Sequence, residues 1–299
     1  MKKKRIYDVD NEPELEKKEQ RNKMLKWIII IGILIIVGGL LWARYISTRG
    51  LRIKEYAIET ENITEEYDGF KIVHFADLHY GSTIRLKELK KLVQEINKLK
   101  PDVVVFTGDL TEPGSKISNN EIEKVIKELS NIDPAIETMA VIGNHDYETK
   151  YWDKIVPKLD WTVLDNTYHY VYKDSQTPIV FVGIDDKLKG KPDYENAFSY
   201  TNESEENLYT IVLLHEPDQV LDMKSYNYNL VLAGHSHLGQ VRLPGVGAIY
   251  VPTGSKTYYD EHYKLDKADI YINGGVGTST LKLRFFNKPS INLYRFYKK

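Results

Sequence analysis

The longest uninterrupted apolar stretch of the chain covers residues 27–43, seventeen positions without a charge. A helix that crosses a bilayer needs ~20 apolar residues, with a lower limit of roughly 17. Trp27 and Trp42 stand near its ends, where interfacial aromatics belong. Lys26 and Arg44 flank it and can reach outward to headgroups. The stretch lacks the polar face that a helix on a globular surface would carry. Before it, residues 1–26 hold nine Lys/Arg and six Asp/Glu with almost no apolar periodicity, the composition of a charged tail.

Farther along, short apolar runs alternate with helical periodicity. Residues 71–75, 103–106 and 138–142 read as buried strands. Between them, residues 84–100 place Leu86, Leu89, Val93, Ile96 and Leu99 near one helical face, with Pro101 as the stop, and residues 121–129 give a second helix. Residues 152–159 read as helical, and 162–164, 168–172, 179–183, 209–214 and 230–233 as strands. The last quarter reads as mostly β, with strands expected at 248–251, 281–285 and 291–296, and residues 199–207 read as a surface loop.

Charge changes this picture in two ways. Nine basic residues precede the apolar run, so it is expected to act as an uncleaved single-pass anchor in the cell membrane. The tail at 1–26 would then be cytoplasmic and the remainder extracytoplasmic. Residues 51–299 carry 30 Lys/Arg and 37 Asp/Glu, a balance of −7 that gives no general footprint for nucleic acid. The absence of cysteine rules out thiolate ligands, so any metal must be held by His, carboxylate or amide oxygen, which favours Mn, Fe or Zn.

The candidate chemistry follows the apolar runs. Asp77-Leu78-His79, Gly108-Asp109, Gly143-Asn144-His145-Asp146, His215 and Gly234-His235-Ser236-His237 each come just after one. Ligands gather at the carboxyl ends of strands in open α/β sheets. Loops at one sheet edge would therefore unite Asp77, His79, Asp109, Asn144, His145, His215, His235 and His237. That is two carboxylates, five imidazoles and one amide, too many for one metal and suited to two that share a carboxylate. His74, inside a strand, reads as a satisfied core residue, and His169 and His262 as surface or packing residues. Tyr258, Tyr259 and Tyr263 read as packing.

In this order the blocks DLH, GD, GNHD, a lone His and GHSH resemble the calcineurin-like metallophosphoesterases, from near Phe70 to the C-terminus. The stretches GHSHLGQVRLPG and VGTSTLKLRFFNKPSINLYRF are similar to the membrane-associated bacterial branch, whose members resemble phosphodiesterases and pyrophosphatases acting on lipid-linked or nucleotide-linked substrates. The resemblance implies an α/β (mixed α+β) fold, a four-layer αββα sandwich of two mixed β-sheets, here preceded by one N-terminal transmembrane helix. It implies two divalent metal ions. Asp77, His79 and His237 would hold the first, Asn144, His215 and His235 the second, and Asp109 would bridge both. Water between such cations ionises near neutral pH and becomes the nucleophile. His145 remains as a general acid for the leaving oxygen.

One departure concerns Glu112 and Pro113, which stand where phosphoprotein phosphatases of the family carry Asp and a phosphate-clamping Arg. Glu112 or Asp146 could orient His145, and Arg242 or Arg85 could supply a clamp from elsewhere. A missing bidentate Arg disfavours a dianionic monoester more than a monoanionic diester. The expected organisation is a tail at 1–26, a transmembrane helix at 27–43, a linker at 44–60 and a catalytic domain at 61–299. The expected activity is phosphodiester or pyrophosphate hydrolysis on a phosphoester substrate, lipid-linked or from the cell envelope. A phosphomonoesterase, including a protein phosphatase, is the alternative within enzymes. A catalytically silent metal-binding envelope module is the alternative outside them.

Overall fold

The computed structural model describes residues 12–202 and 208–299. Residues 1–11 of the charged tail and 203–207 of the expected surface loop lie outside it. The chain divides into two units, residues 1–46 and 47–299.

The described part of the first unit is one helix, α1 (Glu12–Tyr45). It begins within the charged tail and continues through the apolar run without a break. At 1.5 Å per residue the charge-free part spans ~26 Å, close to a hydrocarbon core of ~30 Å. Its large apolar side chains are exposed, and α1 is long and apolar enough to cross a membrane.

The second unit is built on two six-stranded sheets. The first contains β1 (Arg52–Thr60), β2 (Lys71–Phe75), β3 (Val103–Thr107), β4 (Glu137–Val141), β5 (Trp161–Val163) and a last strand, Ser290–Lys298. The second contains β6 (Thr167–Val171), β7 (Ile179–Gly183), β8 (Thr210–Leu213), β9 (Leu230–Ala233) and two strands numbered after a small hairpin. That hairpin is β10 (Arg242–Leu243) and β11 (Gly247–Ala248). The strands after it are β12 (His262–Lys264), β13 (Asp269–Ile272) and β14 (Ser290–Lys298). The sheet orders are β1-β14-β2-β3-β4-β5 and β12-β13-β9-β8-β7-β6. Both are mixed. β14 runs antiparallel to β2 in the first, and β12 and β6 are the antiparallel edges of the second.

Strand alternation explains the layers. Inward residues such as Ile72, Val105 and Met139 of one sheet meet Phe181, Ile211 and Leu232 of the other. On the outer face of the first sheet, Val73, Phe75, Val104 and Phe106 pack on α2 (Leu86–Lys98) and α3 (Asn119–Leu129) through Leu89, Val93, Val125 and Leu129. Each such side chain contributes ~1.5–3 kcal/mol when fully buried. Ser118 caps α3 by accepting the Glu121 amide at 3.2 Å. The outer face of the second sheet is covered by shorter pieces carrying Phe198 and Met223. The expected four-layer αββα sandwich of two mixed sheets is therefore the observed fold, with an uneven fourth layer.

Three expectations are corrected. Residues 52–60, assigned to a linker, form β1, a strand parallel to β14 with register Tyr56 to Tyr294. Its inward positions include Lys54 and Thr60, so it lacks the apolar alternation of a central strand. Residues 281–285 form no strand; only an isolated bridge joins Phe285 to Val241. The expected strand at 248–251 is reduced to the end of the β10–β11 hairpin.

Candidate metal centre

Five parallel strands end on one side of the sandwich, and each delivers part of the site. The segments after β2, β3 and β4 carry Asp77 and His79, Asp109, and Asn144 and His145. Those after β8 and β9 carry His215, His235 and His237. The backbone turns sharply to aim them. Asp77, His79, Asp109, His235 and His237 all have φ between 42° and 64°, a left-handed conformation uncommon for non-glycine residues and concentrated at functional sites. Gly108, at φ 89°, lets two loops touch, because a Cβ there would lie 2.7 Å from the Gly143 backbone and from His215 Nδ1.

The sheets are stitched together at the site itself. His215 Nδ1 donates to Thr107 O at 2.6 Å, and the His235 amide donates to Asp77 Oδ2 at 3.1 Å. Asp146, in α4 (Asn144–Thr149), accepts the amides of Asp109 and Leu110 at 2.8 Å each and of Gly143 at 3.1 Å. Burial and then the Asp109 charge push the Asp146 carboxyl up to about 7 against those donors.

Two donor sets result. Asp77 Oδ1 lies 3.4 Å from His237 Nε2 and 3.8 Å from His79 Nε2, and the two imidazole nitrogens are 3.1 Å apart. In the second set, His215 Nε2 is 3.2 Å from His235 Nδ1. Asp109 Oδ2 stands between the sets, 3.5 Å from His79 Nε2 and 3.3 Å from His215 Nε2. Burial opposes charge on Asp109, but His215, His145 and His79 outweigh it and hold the carboxyl well below the usual range. Burial likewise opposes charge on Asp77, and His237 and His79 outweigh it, leaving it at about 2.

The chemistry of this donor set fits divalent cations. Carbonyls can only accept, so Thr107 O and Thr253 O take the far-side ring protons of His215 and His235, the latter at 2.7 Å. Their other ring nitrogens are turned toward the cluster, the outer-shell arrangement usual for metal-binding imidazoles. Asn144 Oδ1 is buried with no hydrogen-bond partner, which is costly unless something electropositive meets it. His145 stands beside the first set, its ring centroid 5.0 Å from that of His79 and its amide donating to Asp109 Oδ1 at 2.9 Å. Its Nδ1 has no hydrogen-bond partner in the protein.

The other expected residues fall as follows. Glu112 Oε2 lies 2.8 Å from His79 Nδ1 and 4.0 Å from His145 Nδ1, so it supports His79 more closely. The Asp146 carboxylate is occupied by loop amides. Arg242 is held by Asp260 at 2.6 Å, and Arg85 sits at the N-cap of α2. His74 is a core residue bonded to Thr107 Oγ1 at 2.8 Å, and His169 and His262 pair with Glu137 and Asp269. Tyr258 and Tyr263 pack on the outer face of the second sheet. One residue was not anticipated. Arg284 is fully buried behind His237, and its sequence context marks it only as one charge in an alternating stretch.

Comparison with known proteins agrees with this geometry. The family model for calcineurin-like phosphoesterases matches residues 70–239. The uncharacterized metallophosphoesterase YkuE of Bacillus subtilis (strain 168) is 34% identical, over 93% of this chain and 98% of that protein. Phosphodiesterase YaeI of Escherichia coli (strain K12) is 28% identical, over 75% of this chain and 81% of its own length. The UDP-2,3-diacylglucosamine pyrophosphatase LpxG of Chlamydia muridarum (strain MoPn / Nigg) is 23% identical, over 85% and 92%. With the family model covering more than half of it, the chain belongs to the calcineurin-like phosphoesterases and is a metal-dependent phosphoric ester hydrolase.

Proposed function

We propose that the protein is a membrane-anchored hydrolase of phosphodiester or pyrophosphate bonds, with its catalytic domain outside the cell membrane. The observation that carries this reading is the position of Asp109 Oδ2 within 3.5 Å of one donor set and 3.3 Å of the other. Asp77, His79 and His237 would hold one cation and Asn144, His215 and His235 a second, with Asp109 shared; Mn, Zn and Fe suit the donors. A pair of cations so held ionises water near neutral pH and neutralises phosphoryl charge.

The chain's own groups supply the rest. His145 is free to give a proton to the leaving oxygen, and its amide bond to Asp109 ties its position to the shared ligand. No bidentate Arg clamp follows Glu112, and Arg242 is engaged by Asp260. Both favour a monoanionic phosphoryl group. The names of the relatives, a phosphodiesterase and a pyrophosphatase, point the same way. The anchor rests on α1, and its orientation on the nine basic residues before the apolar run. A lipid-linked or envelope phosphoester fits that location.

The test is hydrolysis by the full chain in detergent with added Mn. Bis(p-nitrophenyl) phosphate should be cleaved faster than p-nitrophenyl phosphate. The reverse order would make the protein a monoesterase.

A further inference from the structure

We infer that the β10–β11 hairpin and the loop 279–286 together form a surface that seats the metal centre against an anionic lipid bilayer. This rests on the membrane-anchored reading above and adds the face by which the domain meets lipid.

Among the described residues of the domain, fourteen large apolar side chains are exposed, and six lie in these two segments or directly after the hairpin: Leu243, Val246, Ile249, Tyr250, Leu281 and Phe286. The others are scattered through the sequence, as single exposed apolar residues commonly are. Val246 and Tyr250 are 71% and 70% exposed, the highest values among those fourteen. The tip between β10 and β11 is Pro244-Gly245-Val246, and positive φ at Gly245 and Gly247 turns the chain so that Val246 projects.

The two segments form one surface. The Arg242 amide donates to Phe285 O at 2.9 Å and the Phe285 amide to Gln240 O at 3.2 Å. Gln240 Nε2 donates to Leu281 O at 2.9 Å and to Ser279 O at 3.1 Å. That surface borders the metal centre. Gln240 follows His237 by three residues, and the Thr280 amide donates to Glu112 Oε1 at 3.1 Å. Glu112 in turn contacts His79.

Charge identifies the occupant. Residues 238–259 and 270–299 contain no Asp or Glu, although residues 51–299 as a whole carry 37 acidic and 30 basic residues. Lys256, Lys282 and Lys288 fall within those stretches, as does Arg242, whose charge is met by Asp260. Lys256 Nζ lies 5.2 Å over the Tyr250 ring, a base-and-aromatic pair of the kind that populates bilayer interfaces. An apolar face flanked by Lys256, Lys282 and Lys288 complements anionic headgroups over acyl chain. A second copy meeting it face to face would oppose like charges. The tether is also short, because α1 ends at Tyr45 and the domain begins at Ser47. With this face down, a phosphoester at headgroup level would enter the centre without leaving the membrane.

The chain has no cysteine, so single Val246→Cys and Leu281→Cys substitutions each give one site for a nitroxide. The full-length labelled protein is reconstituted in phosphatidylcholine vesicles with and without phosphatidylglycerol. Lys124→Cys on the exposed face of α3 serves as the aqueous reference. The labels at 246 and 281 should be reached by oxygen and shielded from a water-soluble nickel chelate, more so with phosphatidylglycerol, while the label at 124 stays aqueous. Equal aqueous access at all three sites overturns the inference, as does dipolar broadening that shows a second copy on this face. In a second arm, Val246→Asp with Leu281→Asp should slow hydrolysis of a vesicle-embedded phosphodiester by at least about tenfold and leave soluble bis(p-nitrophenyl) phosphate unaffected. Equal rates on both esters would count against docking. If the wild type cleaves neither ester, the phosphohydrolase reading fails, and the label depths still decide the docking.

Discussion

Arg284 Nη2 lies 3.3 Å from His237 Nδ1, with the whole Arg284 side chain buried. Nη2 also donates to Gly275 O at 3.0 Å and Gly277 O at 2.6 Å, and Nε to Gly277 O at 3.1 Å. The guanidinium thus fixes a glycine loop directly beneath a proposed metal ligand. Burial lowers its pKa to about 10, so it stays charged at neutral pH. Arg284→Lys keeps the charge and loses the planar fork. Each carbonyl left unpaired costs about 1–3 kcal/mol. The variant should therefore melt well below the wild type and lose metal from the Asp77 set first. Thermal melts and elemental analysis check this, and an unchanged melting temperature with full metal content would refute it.

Asp186 supplies a prediction in pH. Burial, then the neighbouring Glu216, raises its carboxyl to about 8, while its Oδ1 accepts the Lys189 amide at 2.6 Å. A folded-state value above the unfolded one means the folded protein holds the proton more tightly. The stabilisation is complete below the unfolded value of ~3.9 and is lost as pH rises through the folded value. Asp186→Asn keeps a neutral donor and acceptor at that position. Its stability relative to the wild type should rise between acid pH and pH above about 8. Melts at the two extremes, at fixed metal, measure it. A difference that does not change with pH would show that Asp186 does not titrate in this range.

The fold was legible where burial was two-sided. Val103–Thr107 reads VVVFT and is completely buried, so its strand and the Asp109 beyond it could be read directly. β1 was missed because an edge strand with Lys54 and Thr60 facing inward has no apolar signature. Residues 281–285 misled in the opposite way. Leu-Lys-Leu-Arg-Phe alternates like a strand, yet its most buried member is Arg284, which turns inward to pair carbonyls. Spacing also could not reveal that Asp146 holds three loop amides, because that role depends on β3 and β4 being neighbours.

Asp109, the ligand proposed to be shared, can be told apart from the others. Asp109→Asn removes the charge that faces both His79 and His215, so both cations should be lost together and activity nearly abolished. His237→Ala should empty mainly one site. Chelation should also lower the melting temperature of the wild type, because a ligand present at 100 times its Kd stabilises by about 2.7 kcal/mol. That drop should be much smaller in Asp109→Asn. Metal content and melts with and without chelator decide this. Retention of one full equivalent by Asp109→Asn would mean the carboxylate is not shared.

His145 should behave differently in kind. Its ring lies beside the first donor set, but it groups with Glu112 and His79, its Nδ1 4.0 Å from Glu112 Oε2, and not with the Asp77–His79–His237 or Asp109–His215–His235 sets. His145→Ala should therefore keep both metals and still turn over slowly, with a loss of about 10²–10⁴-fold, the usual range for a general acid. The size of the loss should depend on the leaving group. A p-nitrophenolate needs little protonation, so its ester should suffer least, and an alkyl ester should suffer most. The groups that hold the metals and the phosphoryl oxygens remain in place in both reactions, so the contrast isolates the proton. Loss of a metal in His145→Ala would make it a ligand. Two metals retained with equal slowing of both esters would mean that His145 steadies the phosphoryl group and not the departing oxygen.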